Sequence, residues 1–225
     1  ATFDNHYDGR FSSSPVSYDL RHNHLNAMIV AYLDTMRELG IETWLMHGTL
    51  LGWWWGGSVL AWDWDVDVQV TNESLGFMGK YYNMSIWNFD IDGRRNDAGG
   101  AMLLGKDGNA TSFGENGRTY LLEINPYHHL HDGGALSDKN VIDGRWIDTE
   151  TGLYVDITCL WKAVNHEAGR GILTGKDGHS FREKYIFPLR ETSFEGTEAL
   201  IPSAYMEVLS KEYGSGALVK GNYKG

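Results

Sequence analysis

The first sustained hydrophobic pattern along the chain is helical. Leu25, Met28, Ile29, Tyr32, Leu33, Met36 and Leu39 recur at three- and four-residue spacing, which predicts a helix over Tyr18–Leu39. Ser17 is a plausible N-cap and Gly40 stops the pattern. This is a packing helix with no chemistry assigned to it. His22 and His24 stand two residues apart, do not share a helix face, and read as polar surface residues. Residues 1–16 are polar and Ser-rich, with Phe3, Tyr7 and Phe11, and read as an N-terminal arm laid over the domain that follows from 17 to 225. After the helix, a short strand over Ile41–Met46 delivers His47-Gly48-Thr49. Leu50–Trp55 reads as a short helix whose N-terminal amides could face an anion. Trp53, Trp54 and Trp55 either stack on a sugar or base or pack the core, the second being the commoner outcome. Gly56-Gly57 turns the chain back.

The period then changes to two. Asp63, Asp65 and Asp67 alternate with Trp64, Val66 and Val68, so a strand places the three carboxylates on one face and the apolar residues in a core. Glu73–Tyr82 reads as a helix interrupted by two glycines. Residues 92–118 are rich in Gly, Asn and Asp, with Arg94, Arg95, Lys106 and Arg118 interspersed; such a segment is a binding loop or a disordered excursion. If it covers a site, its basic residues meet a donor phosphate; otherwise they are solvated surface charges. Tyr120–Ile124 and Leu153–Cys159 are further strands, each with one carboxylate, Glu123 and Asp156, inside an apolar run. A lone carboxylate in a buried strand is costly unless it is paired or metal-bound. Between them, His128, His129 and His131 read as a surface loop rather than a metal cluster. VIDGRWID adds a strand with Arg145 and Asp148. The last third holds His179, Arg182, Lys184 and Arg190, then a strand pair around FEGTEALIP bounded by Pro188 and Pro202. An amphipathic helix, Ser203–Tyr213, closes it at Gly214.

At 225 residues one domain with a sizeable core is the default. A formal charge of −11 without a basic stripe argues against nucleic acid as a partner, although a bound metal still lets an acidic site hold phosphate. The lone Cys159 excludes an internal disulfide and any Cys-rich zinc site. No stretch approaches a membrane span and no signal peptide is visible; opening on Ala1 without Met, the chain reads as a trimmed or excerpted domain. Sequons at Asn72, Asn83 and Asn109 permit a secretory lumen without establishing one.

The acidic run carries the candidate chemistry. Three like charges along one strand face repel unless a cation or solvent relieves them, so the run is either a divalent-metal site for phosphate oxygens or a solvated acidic face. A calcium loop fails: counted from Asp63, the positions needing Gly and Glu are Val68 and Ser74.

HGTLLG, WDWDVD, YVDIT, PLRETSFEG and IPSAY, in that order, resemble the LicD/fukutin family, closest to its fungal mannosylphosphorylation proteins. The resemblance runs from about Val16 to the C-terminus. It implies an α+β fold, a nucleotidyltransferase-like mixed β-sheet with packed helices in a single domain. It also implies Asp63, Asp65, Asp67 and Asp156 as metal and catalytic residues, with Gly48-Thr49 as the phosphate-side turn. His47, Arg145 and Arg190 complete the expected donor-binding set. Mg²⁺ or Mn²⁺ is the expected ion, since the ligands are hard oxygens. Ala61 and Trp64 depart from the commoner bacterial Pro-Trp-Asp-Asp-Asp-Ile-Asp pattern.

The expected activity is metal-dependent transfer of a sugar phosphate, mannose phosphate above all, from a nucleotide-sugar donor such as GDP-mannose to a glycan hydroxyl. The expected setting is the secretory pathway, the Golgi lumen in particular. Asp156 and Asp63 both remain candidates for the general base. The main alternative is a non-catalytic glycan-binding or regulatory subunit of a mannosylphosphate transferase. A third is nucleotidyl transfer to a small molecule.

Overall fold

The structure is a computed structural model that describes residues 6–12, 14–90, 102–103, 117–130, 141–163 and 170–219. Arg94, Arg95, Lys106, Asn109 and His131 lie outside the described residues. In chain order the elements begin with α1 (Tyr18–Glu38), β1 (Thr43–Leu45), α2 (His47–Gly56), β2 (Val66–Thr71), α3 (Asn72–Tyr81) and β3 (Ser85–Asp90). There follow β4 (Met102–Leu103), β5 (Gly117–Ile124), β6 (Gly144–Asp148), β7 (Tyr154–Lys162), β8 (Ile172–Thr174) and β9 (Ser180–Arg182). The chain closes with α4 (Glu183–Ile186), β10 (Arg190–Phe194), β11 (Thr197–Ile201), α5 (Tyr205–Tyr213) and a 3₁₀ turn at Ser215–Leu218.

The main sheet runs β1-β2-β7-β6-β5-β3-β4, and β8 and β9 extend from the far end of β7. β2 and β7 pair in parallel; the other pairings in the sheet are antiparallel. The expected α+β class, a mixed sheet with packed helices in a single domain, is what the structure shows. Among the described residues, no helix is long and apolar enough to cross a membrane.

α1 forms where its periodicity places it, and Leu25, Met28, Ile29, Tyr32 and Met36 are buried against the sheet. They join Val66, Val68, Val155, Ile157 and Trp146 in one core. Trp146 stacks on Tyr120 at a centroid distance of 5.4 Å, a large apolar burial for two side chains. The arm residues lie on this body: Tyr7 is buried, and the Asp8 amide donates to Gly152 O at 2.7 Å.

Two boundaries differ from the sequence expectation in ways that matter for the site. The helix after the HGT turn starts at His47, not Leu50: the Leu50 amide already donates to Met46 O at 3.1 Å, and the chain enters the helix through a left-handed φ of 50° at His47. β2 starts at Val66, so Asp63 and Asp65 lie in a lead-in that has no strand partner among the described residues, and the Asp63 amide donates to Leu60 O at 2.9 Å. Trp64 accordingly does not enter the core. It is 38% exposed, and the Arg21 guanidinium sits 3.5 Å from its ring centroid.

β10 and β11 form a separate hairpin closed by Glu195-Gly196, both at positive φ (50° and 78°). Glu in that conformation is uncommon. Its carboxylate accepts from the Val59 amide and from Asn26 Nδ2, both at 2.6 Å, which fixes the tip against the loop after α2. The tryptophans of α2 pack in the same region. Trp53, Trp54 and Trp55 donate their indole N–H groups to Thr192 Oγ1, Leu218 O and Ala217 O respectively.

Candidate functional site

Strand register builds a polar row across the middle of the sheet. Asp67 of β2 stands opposite Asp156 of β7, Asp156 opposite Arg145 of β6, and Arg145 opposite Glu123 of β5. Their chain neighbours Val66, Val68, Val155, Ile157, Trp146, Leu122 and Ile124 point the other way and are buried. Adjacent strands lie about 4.8 Å apart, so the two aspartates are immediate neighbours on the parallel pair. Arg145 Nε donates to Asp156 Oδ1 at 2.9 Å, and its guanidinium lies 3.9 Å from the Tyr154 ring centroid. Beyond it, Arg10 of the arm pairs with both Glu123 and Asp8.

The turn preceding β2 is tied to this row. Thr49 is buried, and its Oγ1 accepts from the Asp67 amide at 2.8 Å. The Met46 amide donates to Asp67 O at 3.2 Å. Gly48 faces Asp63 so closely that a Cβ there would stand 3.3 Å from Asp63 Oδ2. The start of α2, with its unpaired helix N–H groups, is thereby held beside the acidic cluster.

The cluster carries more negative charge than its cations answer. Burial, then Asp65, pushes the Asp63 carboxyl up to about 6 against the opposing pull of Arg21 and His6. Burial pushes Asp156 up to about 6 even with Arg145 beside it. Asp67 lies well above the ordinary carboxylate range because it is buried and sits near Asp65, Asp156 and Asp63, with His47 opposing. Buried oxygens whose ionisation is disfavoured this way suit a hard divalent cation, which removes the repulsion. Asp63, Asp65, Asp67 and Asp156 would hold it.

The other expected site residues are placed as follows. The His47 side chain lies between Glu212 and Asp177, with Nδ1 2.7 Å from Glu212 Oε1 and Nε2 3.4 Å from Asp177 Oδ2. Burial works against its charge, but Asp177, Glu212 and Asp67 together raise it to about 10. Arg190 is exposed at the start of β10, its guanidinium 5.8 Å from the Tyr205 ring centroid. His24 is not a surface residue: its Nδ1 is 3.1 Å from Asp148 Oδ2 in a half-buried group with Arg118. Arg118 is therefore a packing partner there. His128 and His129 sit in a turn after β5, with His128 Nδ1 2.9 Å from Asn125 O. Within residues 92–117, β4 and the first residue of β5 are strand; the expectation for 92–101 and 104–116 lies outside the described residues.

One grouping escaped the sequence reading. Among the described residues, His47, His179 and Glu212 bring one ligand atom each within 4.8 Å of one another. His179 was legible only as one polar residue in a basic stretch, and Glu212 only as part of an amphipathic helix.

Residues 40–92, from the end of α1 through β3, match the family model described as LicD/FKTN/FKRP, nucleotidyltransferase domain. That span contains the HGT turn and three of the four aspartates. Mannosyltransferase regulator 4 of Saccharomyces cerevisiae is 34% identical over 136 residues, covering 60% of this chain and 10% of that protein. Mannosyltransferase regulator 14 of the same yeast is 30% identical over 178 residues, covering 76% of this chain and 16% of that protein. The chain thus spans a small part of the length of the curated relatives it matches. Residues 40–92 thus match the LicD/fukutin family that the HGTLLG turn and alternate aspartates imply, and the two similar yeast proteins are mannosyltransferase regulators by name.

Proposed function

We propose that this chain is a metal-dependent sugar-phosphate transferase domain of glycan modification, with mannose phosphate as the transferred group. The carrying observation is the adjacency of Asp67 and Asp156 on parallel strands, with Asp63 and Asp65 beside them and three of the four carboxyls held above their ordinary range. Mg²⁺ or Mn²⁺ held by the four aspartates would supply charge neutralisation for a donor diphosphate. The backbone N–H groups of His47, Gly48 and Thr49 at the start of α2 are the donor-phosphate cradle, and Gly48 lets the donor approach closely. Arg145, half-exposed beside Asp156, is a further donor contact, and Arg190 completes the donor set from the hairpin.

A glycan hydroxyl attacks the sugar-side phosphorus of the nucleotide sugar. The new P–O bond replaces the bond to the nucleoside monophosphate, which leaves, and the hydroxyl proton passes to a carboxylate. Asp63 and Asp156 are the two candidate bases for that transfer. The donor class is a nucleotide sugar such as GDP-mannose, the acceptor a glycan, and the compartment the Golgi lumen. Residues 1–16 form the arm and 17–225 the transferase domain.

The names of the two yeast relatives favour a second reading, a regulatory subunit that keeps the fold and binds glycan without turnover. One assay separates the two. The protein is incubated with Mn²⁺, a panel of nucleotide sugars and a mannan acceptor, and the released nucleotide is identified. Nucleoside monophosphate is the expected product. Nucleoside diphosphate would indicate ordinary glycosyl transfer, and no release would favour the regulatory reading.

A further inference from the structure

We infer a second metal site, separate from the aspartates, in which His47, His179 and Glu212 bind a zinc-class transition-metal ion with Asp177 at its edge. Three segments far apart in the chain meet there: the first residue of α2, the turn between β8 and β9, and the last turn of α5. His47 and His179 have ring centroids 4.9 Å apart, and Asp177 Oδ2 lies 3.4 Å from His47 Nε2 and 3.3 Å from His179 Nδ1. Among the described residues, Asp177 Oδ2, His179 Nδ1 and Glu212 Oε2 are nevertheless buried without a well-formed hydrogen bond, the first two facing each other at 3.3 Å. Orphaned buried polar atoms are rare, and an unplaced ion is one standard cause. Here two of them belong to carboxylates and one to an imidazole.

The donor set suits that ion. Two imidazoles and a carboxylate, with no thiolate, are nitrogen-oxygen ligands of the zinc and copper class and not of magnesium. Zinc–ligand bonds of about 2.0–2.2 Å place tetrahedral ligand atoms about 3.3 Å apart, so atoms already within 4.8 Å need only a small closure. Two carboxylates, Asp177 and Glu212, now share one imidazole ring, and a dication matches their charge better. The ion would pin α5 and the β8–β9 turn to the start of α2 and so hold the turn at Gly48 in place.

The test uses the whole chain, freed of metal with a chelator and titrated with Zn²⁺ alone, by calorimetry and thermal melts. The variants are His179→Ala, Glu212→Gln and Asp65→Asn. His179 is partly exposed, so His179→Ala should fold, and circular dichroism checks this. One Zn²⁺ per chain is expected, with a raised melting temperature. Affinity should fall at least tenfold in His179→Ala and Glu212→Gln and stay within about twofold of wild type in Asp65→Asn. Absence of binding at tens of micromolar Zn²⁺ overturns the inference. So does a loss of binding in Asp65→Asn with none in His179→Ala, which would assign the zinc to the aspartates. The turnover assay above is independent of all three readouts.

Discussion

Replacing Asp156 by Asn separates burial from pairing in the acidic row. Asp156 has an ion-pair partner 2.9 Å away, and a count of salt bridges would make its loss destabilising. The electrostatics point the other way. Its carboxyl moves from 3.8 to about 6 on folding, with burial the largest cause and Asp65 adding to it, so Arg145 only partly offsets the cost of the charge. A raised carboxyl means the folded chain binds more protons than the unfolded chain between about pH 4 and pH 6. The corresponding stability is fully present below the unfolded value and lost as pH rises through the folded one. About two units at roughly 1.4 kcal/mol each, a shift that already includes the opposing pull of Arg145, set a figure of about 3 kcal/mol at neutral pH. For a chain of this size that is a rise of about 6–12 °C in melting temperature. In chelator at pH 7.5, Asp156→Asn should melt higher than wild type, and the difference should vanish near pH 4. With Mn²⁺ present, wild type should gain and the variant should gain less. A variant that melts below wild type at pH 7.5 in chelator would show that the Arg145 pair outweighs burial, and the inferred demand for a cation would lose its basis.

The other predictions are more local. Asp65→Asn should weaken Mn²⁺ binding in calorimetry, and equal affinity in the two proteins would remove Asp65 from the ligand set. Gly48→Ala introduces a Cβ 3.3 Å from Asp63 Oδ2 at a residue without positive φ, so it should melt within about 1 kcal/mol of wild type while raising donor KM or lowering turnover. Wild-type kinetics in that variant would reduce Gly48 to a turn residue. Thr49→Val removes the buried acceptor of the Asp67 amide and should cost about 1–3 kcal/mol in denaturant unfolding. Gly152→Ala combines a φ of 79° with a Cβ 2.7 Å from Asp8 O, so it should release the arm, seen as faster amide exchange over residues 7–12.

What the sequence made legible depended on how local the signal was. The helix over Tyr18–Glu38 and the inward Val66 and Val68 follow from spacing within one segment, where side-chain direction is set by backbone geometry alone. The limit of such a signal shows at Asp63–Asp65. A two-residue period reads the same in a paired strand and in an unpaired lead-in, and only the partner strand decides. β1 reaches Val68–Val70 and β7 reaches Val66–Thr71, so among the described residues no strand pairs with those before Val66. Trp64, freed from the sheet, stacks on Arg21 instead. Long-range register is harder still. That Asp156 needs a partner follows from burying a charge in an apolar run, but that Arg145 supplies it follows from β6 lying against β7 with those two residues opposed. The histidines show the same boundary. His24 pairs with Asp148 across more than half the chain, and His47 meets Glu212 across most of it. Neither pair has a local period, so spacing rules that separate a helix face from a surface say nothing about them. The acidic row and the histidine group are therefore both products of tertiary closure, yet only the first left a trace in sequence, because three of its carboxylates happen to be neighbours at alternate positions.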